Sequence, residues 1–164
     1  MSLSQKIAAA VEPLAHARPG DAELPREVAV EDGGRRLAVH LTAAGPVGLA
    51  FSSLDFTPAD RADRAADALR AWADRLAAKV TYLMEPLVVV EHDREAGELA
   101  LRSGSPTVRK ALRSYYEVLA RRDGSVRLSR WAYDETARRR SPATCQMTVE
   151  AVERLADDLA SCDG

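Results

Sequence analysis

The sequence predicts an α+β domain of two layers: a mainly antiparallel sheet of about seven strands with helices packed on one face. Three observations predict it. Two Gly-containing turns, Asp32-Gly33-Gly34 and Asp123-Gly124, sit between short runs of alternating apolar residues, the pattern of β-hairpins. Segments near the start, middle and end of the chain repeat apolar residues every three or four positions, the pattern of amphipathic helices. The resulting order, α-β-β-β-α-β-β-β-β-α, joins neighbouring strands by short turns and lacks βαβ alternation, which argues against a doubly wound nucleotide-binding fold.

Leu3, Ile7, Ala10, Val11 and Leu14 form the stripe of a first helix over 3–16. Pro13 lacks an amide hydrogen and predicts a kink or end near Val11–Glu12. Ala17–Pro25, punctuated by Pro19-Gly20, reads as a linker. Val28–Val30 and Leu37–Leu41 flank the Gly33-Gly34 turn, and Ala43-Ala44-Gly45-Pro46 leads into Val47–Leu54, giving a three-stranded meander. Thr57-Pro58-Ala59-Asp60 carries the signals of a helix start: a capping hydroxyl, Pro at the first helical position and an acid in the first turn. Ala62, Ala65, Ala66, Leu69, Trp72, Ala73, Leu76 and Val80 follow as one stripe. Asp60/Arg64 and Arg70/Asp74 are spaced as i,i+4 pairs on the other face.

Pro86–Glu91 and Glu98–Leu101 read as two strands joined around Asp93–Gly97, Ser103–Pro106 as a turn, and Thr107–Leu112 as a helical turn or an irregular link. Tyr115–Arg121 and Val126–Tyr133 form the second hairpin. A two-residue Asp-Gly turn pairs Arg121 with Val126, Glu117 with Arg130 and Tyr116 with Trp131, a favourable charge pair beside a favourable aromatic pair. Asp134–Ala143 is a polar link. Thr148 caps a last helix with stripe Val152, Leu155, Ala156 and Leu159, and Met147 is placed to pack on Val152 as a hydrophobic staple. The order is similar in layout alone, with no shared motif, to that of small secretion-chaperone-like domains.

The chain has 164 residues and a net charge of −2, enough for a single domain over 1–164 that buries roughly 70% of its unfolded surface. It holds 30 Ala, 20 Arg against 3 Lys, and no Asn, a usage most simply ascribed to a GC-rich bacterial coding sequence. No apolar run approaches the about 20 residues of a membrane span, and the amphipathic N-terminus is unlike a signal peptide. Cys145 and Cys162, without CxxC spacing, read as reduced thiols of a cytoplasmic protein.

No motif of known chemistry is present. His16, His40 and His92 are scattered, and a zinc site needs three or four convergent ligands. The sequence contains no G-x-S-x-G, P-loop or G-x-G-x-x-G, and Glu85, Glu91, Glu95 and Glu98 have no spacing that demands acid–base work. No cofactor or metal is predicted.

Charge is the one uneven feature. Residues 101–140 carry 11 basic and 4 acidic side chains, and the remainder is mildly acidic. The first functional expectation is a non-enzymatic, soluble domain that binds a protein partner, itself or another chain, in an adaptor- or chaperone-like role. The second is an anion- or nucleic-acid-binding surface built from Arg109, Arg113, Arg127, Arg130, Arg138, Arg139 and Arg140, interleaved with Tyr115, Tyr116, Trp131 and Tyr133. The near-neutral balance disfavours the second. A third, an enzyme with a dispersed site near Glu91, His92, Cys145 and the arginines, requires these to converge in a cleft.

Overall fold

Gly33 and Gly34 take φ of 58° and 84°, a conformation that side chains resist, and this closes a two-residue turn with Asp32 opposite Arg35. In the computed structural model, which describes residues 1–18, 20–21, 23–103 and 107–162, that turn joins β1 (Arg26–Asp32) to β2 (Arg35–Ala44), and β3 (Leu49–Thr57) completes the meander. The remaining strands are β4 (Leu87–Asp93), β5 (Glu98–Ser103), β6 (Thr107–Arg109), β7 (Leu112–Arg121), β8 (Val126–Asp134), β9 (Arg139–Ala143) and β10 (Cys145–Met147). The main order is β1-β2-β3-β8-β7-β5-β4, with β6 on β7, β9 on β8 and β10 on β3, every pairing antiparallel. The α+β class holds, with ten strands among the described residues where the sequence suggests about seven. The link Thr107–Leu112 is a hairpin, and the polar link Asp134–Ala143 is a turn plus β9. Residues 104–106 of the expected Ser103–Pro106 turn, and Pro19 and Ala22 of the linker, lie outside the described residues.

Among the described residues three helices cover one face. The first, α1 (Leu3–Ala15), packs on β1 and β2; α2 (Ala66–Lys79) packs on β4 and β5; α3 (Val149–Cys162) lies against both helices and β10. A capping box starts α1, with Ser2 accepting from the Gln5 amide and Gln5 accepting from the Ser2 amide, two orphan donors satisfied at once. Pro13 does not end it. The proline sits in the last turn, costs one bond, and the helix runs on to Ala15. The Thr148 hydroxyl accepts from the Ala151 amide at 3.1 Å, and Met147 and Val152 are both buried, as capping and staple predict. Arg75 and Lys79 of α2 reach the Cys162 carbonyl and the Ser161 hydroxyl at the end of α3. Among the described residues no helix is long and apolar enough to cross a membrane.

The start of α2 differs from the Thr57 cap. Phe56, 1% exposed, lies opposite Leu37 and Val126, and its burial, a stabilisation of about 1.5–3 kcal/mol, keeps Thr57 in the strand. Residues 58–65 then cross the β7–β8 turn, where the Arg64 amide donates to the Arg122 carbonyl at 2.8 Å and Arg61 pairs with Asp123 at 3.3 Å. The Arg70–Asp74 pair forms at 3.2 Å. Arg64 instead bonds the Asp60 carbonyl.

The second hairpin is corrected by one residue. Its loop is Arg122-Asp123-Gly124, with Gly124 at φ 84° and the Arg121 amide donating to Ser125 at 3.0 Å. This is a three-residue turn with glycine in the left-handed position. The Asp123 carboxylate accepts from the Ser125 amide and hydroxyl at 2.9 and 2.6 Å, and that hydroxyl holds its carboxyl below the usual range, with Arg61 adding to the effect. Arg130 therefore faces Tyr116, Trp131 faces Tyr115 and Glu117 faces Ser129. A one-residue slip exchanges the faces of a strand, so Arg130 turns toward the helices and Trp131 away from them.

Candidate functional site

Strands β7 and β8 outrun the body of the sheet. Strand β5 pairs with β7 only from Glu117 to Arg121, and β3 pairs with β8 only from Val126 to Ser129. Beyond these points β3 and β8 part. The chain of β9 and β10 turns at Thr144 in the opening, β9 along β8 and β10 along β3. The outer halves of β7 and β8, flanked by β6 and β9, form a four-stranded projection. No residue of 108–115 or 131–142 is fully buried, and the helices pack on β1, β2, β4, β5 and β10 instead.

The face turned from the helices is a layer of aromatics and arginines. Register places Val108, Arg113, Tyr133 and Arg140 in one cross-strand row, Tyr115, Trp131 and Pro142 in the next, and Arg102, Glu117 and Ser129 in the third. Buried Glu117 accepts from Arg102 at 2.9 Å and Arg140 at 3.2 Å. The Arg140 guanidinium lies 3.8 Å from the Trp131 ring centre, and that of Arg102 lies 5.7 Å from the Tyr115 ring centre. Both separations fall within cation–π range. Beside this layer is a concavity of about 490 Å³ lined in part by Asp55, Arg127, Ser129, Trp131 and Arg140. Asp55 accepts two bonds from Arg127, at 2.7 and 3.1 Å, which raises the Arg127 pKa, and stands 3.3 Å from His40.

The end of the projection is different. Lys110 and Arg138 occupy the two turns at φ of 55° and 54°, a conformation uncommon outside glycine. The Glu135 amide donates to the Ala111 carbonyl at 3.0 Å, tying the turns together. Arg109, Leu112, Asp134 and Arg139 share one cross-strand row. The Asp134 carboxylate accepts from the amides of Thr136 and Ala137 in its own turn, and Glu135 pairs with Arg113. Among the described residues no carboxylate pairs with Arg109, Lys110, Arg138 or Arg139.

The seven candidate arginines thus fall into separate settings. Arg109, Arg138 and Arg139 gather at the tip, while Arg113 and Arg140 lie on the aromatic face, each paired with an acid. Arg127 is held in the concavity. Arg130 belongs to the covered face, 15% exposed, 3.6 Å from Glu85 and 4.4 Å from the Tyr116 ring centre. Lys110 and Arg102 belong to the same basic run 101–140 but are not among the seven candidate arginines. The dispersed enzyme site does not assemble. Glu91 is 3.9 Å from Arg102 on the open face, His92 opposes buried Leu99, and Cys145 lies against β3. Three strands separate β4 from β3, roughly 19 Å at ordinary spacing. Among the described residues no group of His, Cys, Asp and Glu is placed to hold a metal ion.

Burial pushes the Cys145 thiol up to about 12, Arg130 offsetting only part of the effect. A reactive cysteine needs the opposite shift. The folded state therefore binds this proton more tightly than the unfolded state. The associated stability is complete below about pH 9, where an unfolded thiol ionises, and is lost as pH rises toward 12. Iodoacetamide at pH 8 is expected to leave Cys145 unmodified in the folded chain and to label it in denaturant, read by mass spectrometry. Labelling of folded Cys145 at the rate of a free thiol would contradict this.

Comparison of the chain with protein-family models, with curated proteins and with solved structures finds no match.

Proposed function

We propose that the chain is a non-enzymatic partner-binding domain, adaptor- or chaperone-like, that holds another protein on its projecting sheet. One observation carries this reading: the solvent-facing layer Tyr115–Arg102–Glu117–Arg140–Trp131, left uncovered by the helices. Trp, Tyr and Arg dominate the energetics of protein interfaces. Here the arginines are already held, which lowers the ordering cost of docking, about 0.5–1.5 kcal/mol for each mobile side chain fixed. Nucleic-acid bases need bare ring faces to stack upon, and Arg140 covers that of Trp131. Free, buried Cys145 and Cys162 fit a reducing, cytoplasmic setting.

The test is affinity capture from native lysate with the wild-type chain and with Trp131→Ala. The variant should keep its fold by circular dichroism and retain its partner at least tenfold more weakly. If the partner proves to be a second copy, the same variant should shift the dimer to monomer in light scattering. Equal retention by both chains would refute the assignment to this face.

A further inference from the structure

We propose that the tip of the projection is a docking site for an acidic polypeptide segment with the pattern acid-x-apolar-x-acid. The proposal rests on the partner-binding reading and names the chemistry of the partner. Its first support is the pairing within the basic segment: Arg102, Arg113, Arg127, Arg130 and Arg140 are matched with Glu117, Glu135, Asp55 and Glu85, whereas Arg109, Lys110, Arg138 and Arg139 at the tip, like Arg121 and Arg122 at the far turn, pair with no acid among the described residues. Asp134, which shares their row, is turned into its own loop. The tip therefore carries four cations that pair with no carboxylate among the described residues, in a chain whose net charge is −2.

Spacing supplies the second support. Arg109 and Arg139 end the row Arg109–Leu112–Asp134–Arg139, three strand separations or roughly 14 Å apart. An extended segment places same-side residues roughly 6.7 Å apart, so residues i and i+4 span about 13–14 Å. Two acids at that spacing reach both arginines of the row, and residue i+2 falls over its middle. Leu112, 45% exposed, is the apolar surface there, and Lys110 and Arg138 flank the path at the turns.

The third support is the apolar content of this end. Val47, Met84, Val108 and Leu112 are all exposed, and the strand directions place each at the end of the sheet that holds the tip. An exposed leucine between arginines favours a peptide side chain over a phosphate backbone, which offers nothing apolar at that position.

The test uses a fluorescein-labelled peptide containing Glu-Ser-Leu-Ser-Glu twice, titrated with the full chain by anisotropy. Binding is expected, weakening severalfold between about 50 and 300 mM salt, and falling at least tenfold for the double variant Arg109→Glu, Arg139→Glu. A control peptide with Gln for Glu should not bind, and one with Ser for Leu should bind severalfold more weakly. No binding, or equal binding by the double variant, overturns the proposal. So does tighter, tip-dependent binding of oligo(dT) or of vesicles containing phosphatidylserine, which would assign the tip to those anions. If the peptide fails while Trp131→Ala still releases a protein partner, this inference falls and the broader reading stands. If that variant releases nothing, the broader reading falls as well.

Discussion

Replacing Arg130 with Met is expected to destabilise the domain by about 3–5 kcal/mol, the usual result of removing one member of a buried ion pair. The side chains of Arg130 and Glu85 are 15% and 6% exposed and stand 3.6 Å apart. Methionine fills much of the arginine's volume, so the loss reports on charge more than on packing. What remains is a buried carboxylate near Tyr116 that has lost its Arg130 contact. At about 2–4 °C per kcal/mol for a domain of this size, the melting temperature should fall by roughly 6–20 °C. The double variant Arg130→Met, Glu85→Leu should recover most of that loss, because a well-packed apolar pair often equals a buried ion pair. Calorimetry on the four chains of the cycle measures both. A single-variant cost below about 1 kcal/mol, or a double variant as unstable as the single, would show that the pair does not hold the segment before β4 against the sheet.

The hairpin that creates this pair shows what sequence can and cannot specify. Gly33-Gly34 admits one compact solution, two adjacent residues at positive φ, and its register is legible. Asp123-Gly124 admits two: a two-residue turn with both residues at positive φ, or a three-residue turn with glycine alone there. Ser125, which binds Asp123, and Arg61 and Arg64, from a segment sixty residues away, favour the second. The same limit applies at Thr57-Pro58, a sound local cap overridden by the burial of Phe56. It applies also to β6 and β9, which lack apolar alternation and form because β7 and β8 offer unpaired edges, and to β10, three residues long, which forms on β3 where β3 and β8 part. The basic segment is therefore visible in the sequence as a bias. Which of its arginines are free is settled by register, a property of the pairing of distant strands.

Glu117 decides whether the aromatic face presents guanidinium or bare rings. Glu117→Ala removes the single carboxylate that holds both Arg102 and Arg140. Two charge-assisted hydrogen bonds are lost, each about 1.5–3 kcal/mol at most, but the arginines are 33% and 38% exposed and can be solvated. A net destabilisation of about 2 kcal/mol follows. The change in binding should be larger and opposite in sign for two ligands. Without Glu117 the two guanidiniums repel each other, Arg140 has less reason to lie on Trp131, and the face loses one negative charge. Protein partners held by the ordered layer should then bind at least tenfold more weakly. Oligo(dT) should gain about tenfold or more, since each base stacked on a freed ring contributes about 1–3 kcal/mol and each cation released from Glu117 favours a phosphate. Trp131 emission, read in a Trp72→Phe background so that it is the sole tryptophan, should respond to oligo(dT) in the variant and not in the parent. A variant that keeps its protein partner and gains nothing for oligo(dT) would mean that Trp131 is covered by packing rather than by charge, and the case against nucleic acid would lose its physical basis.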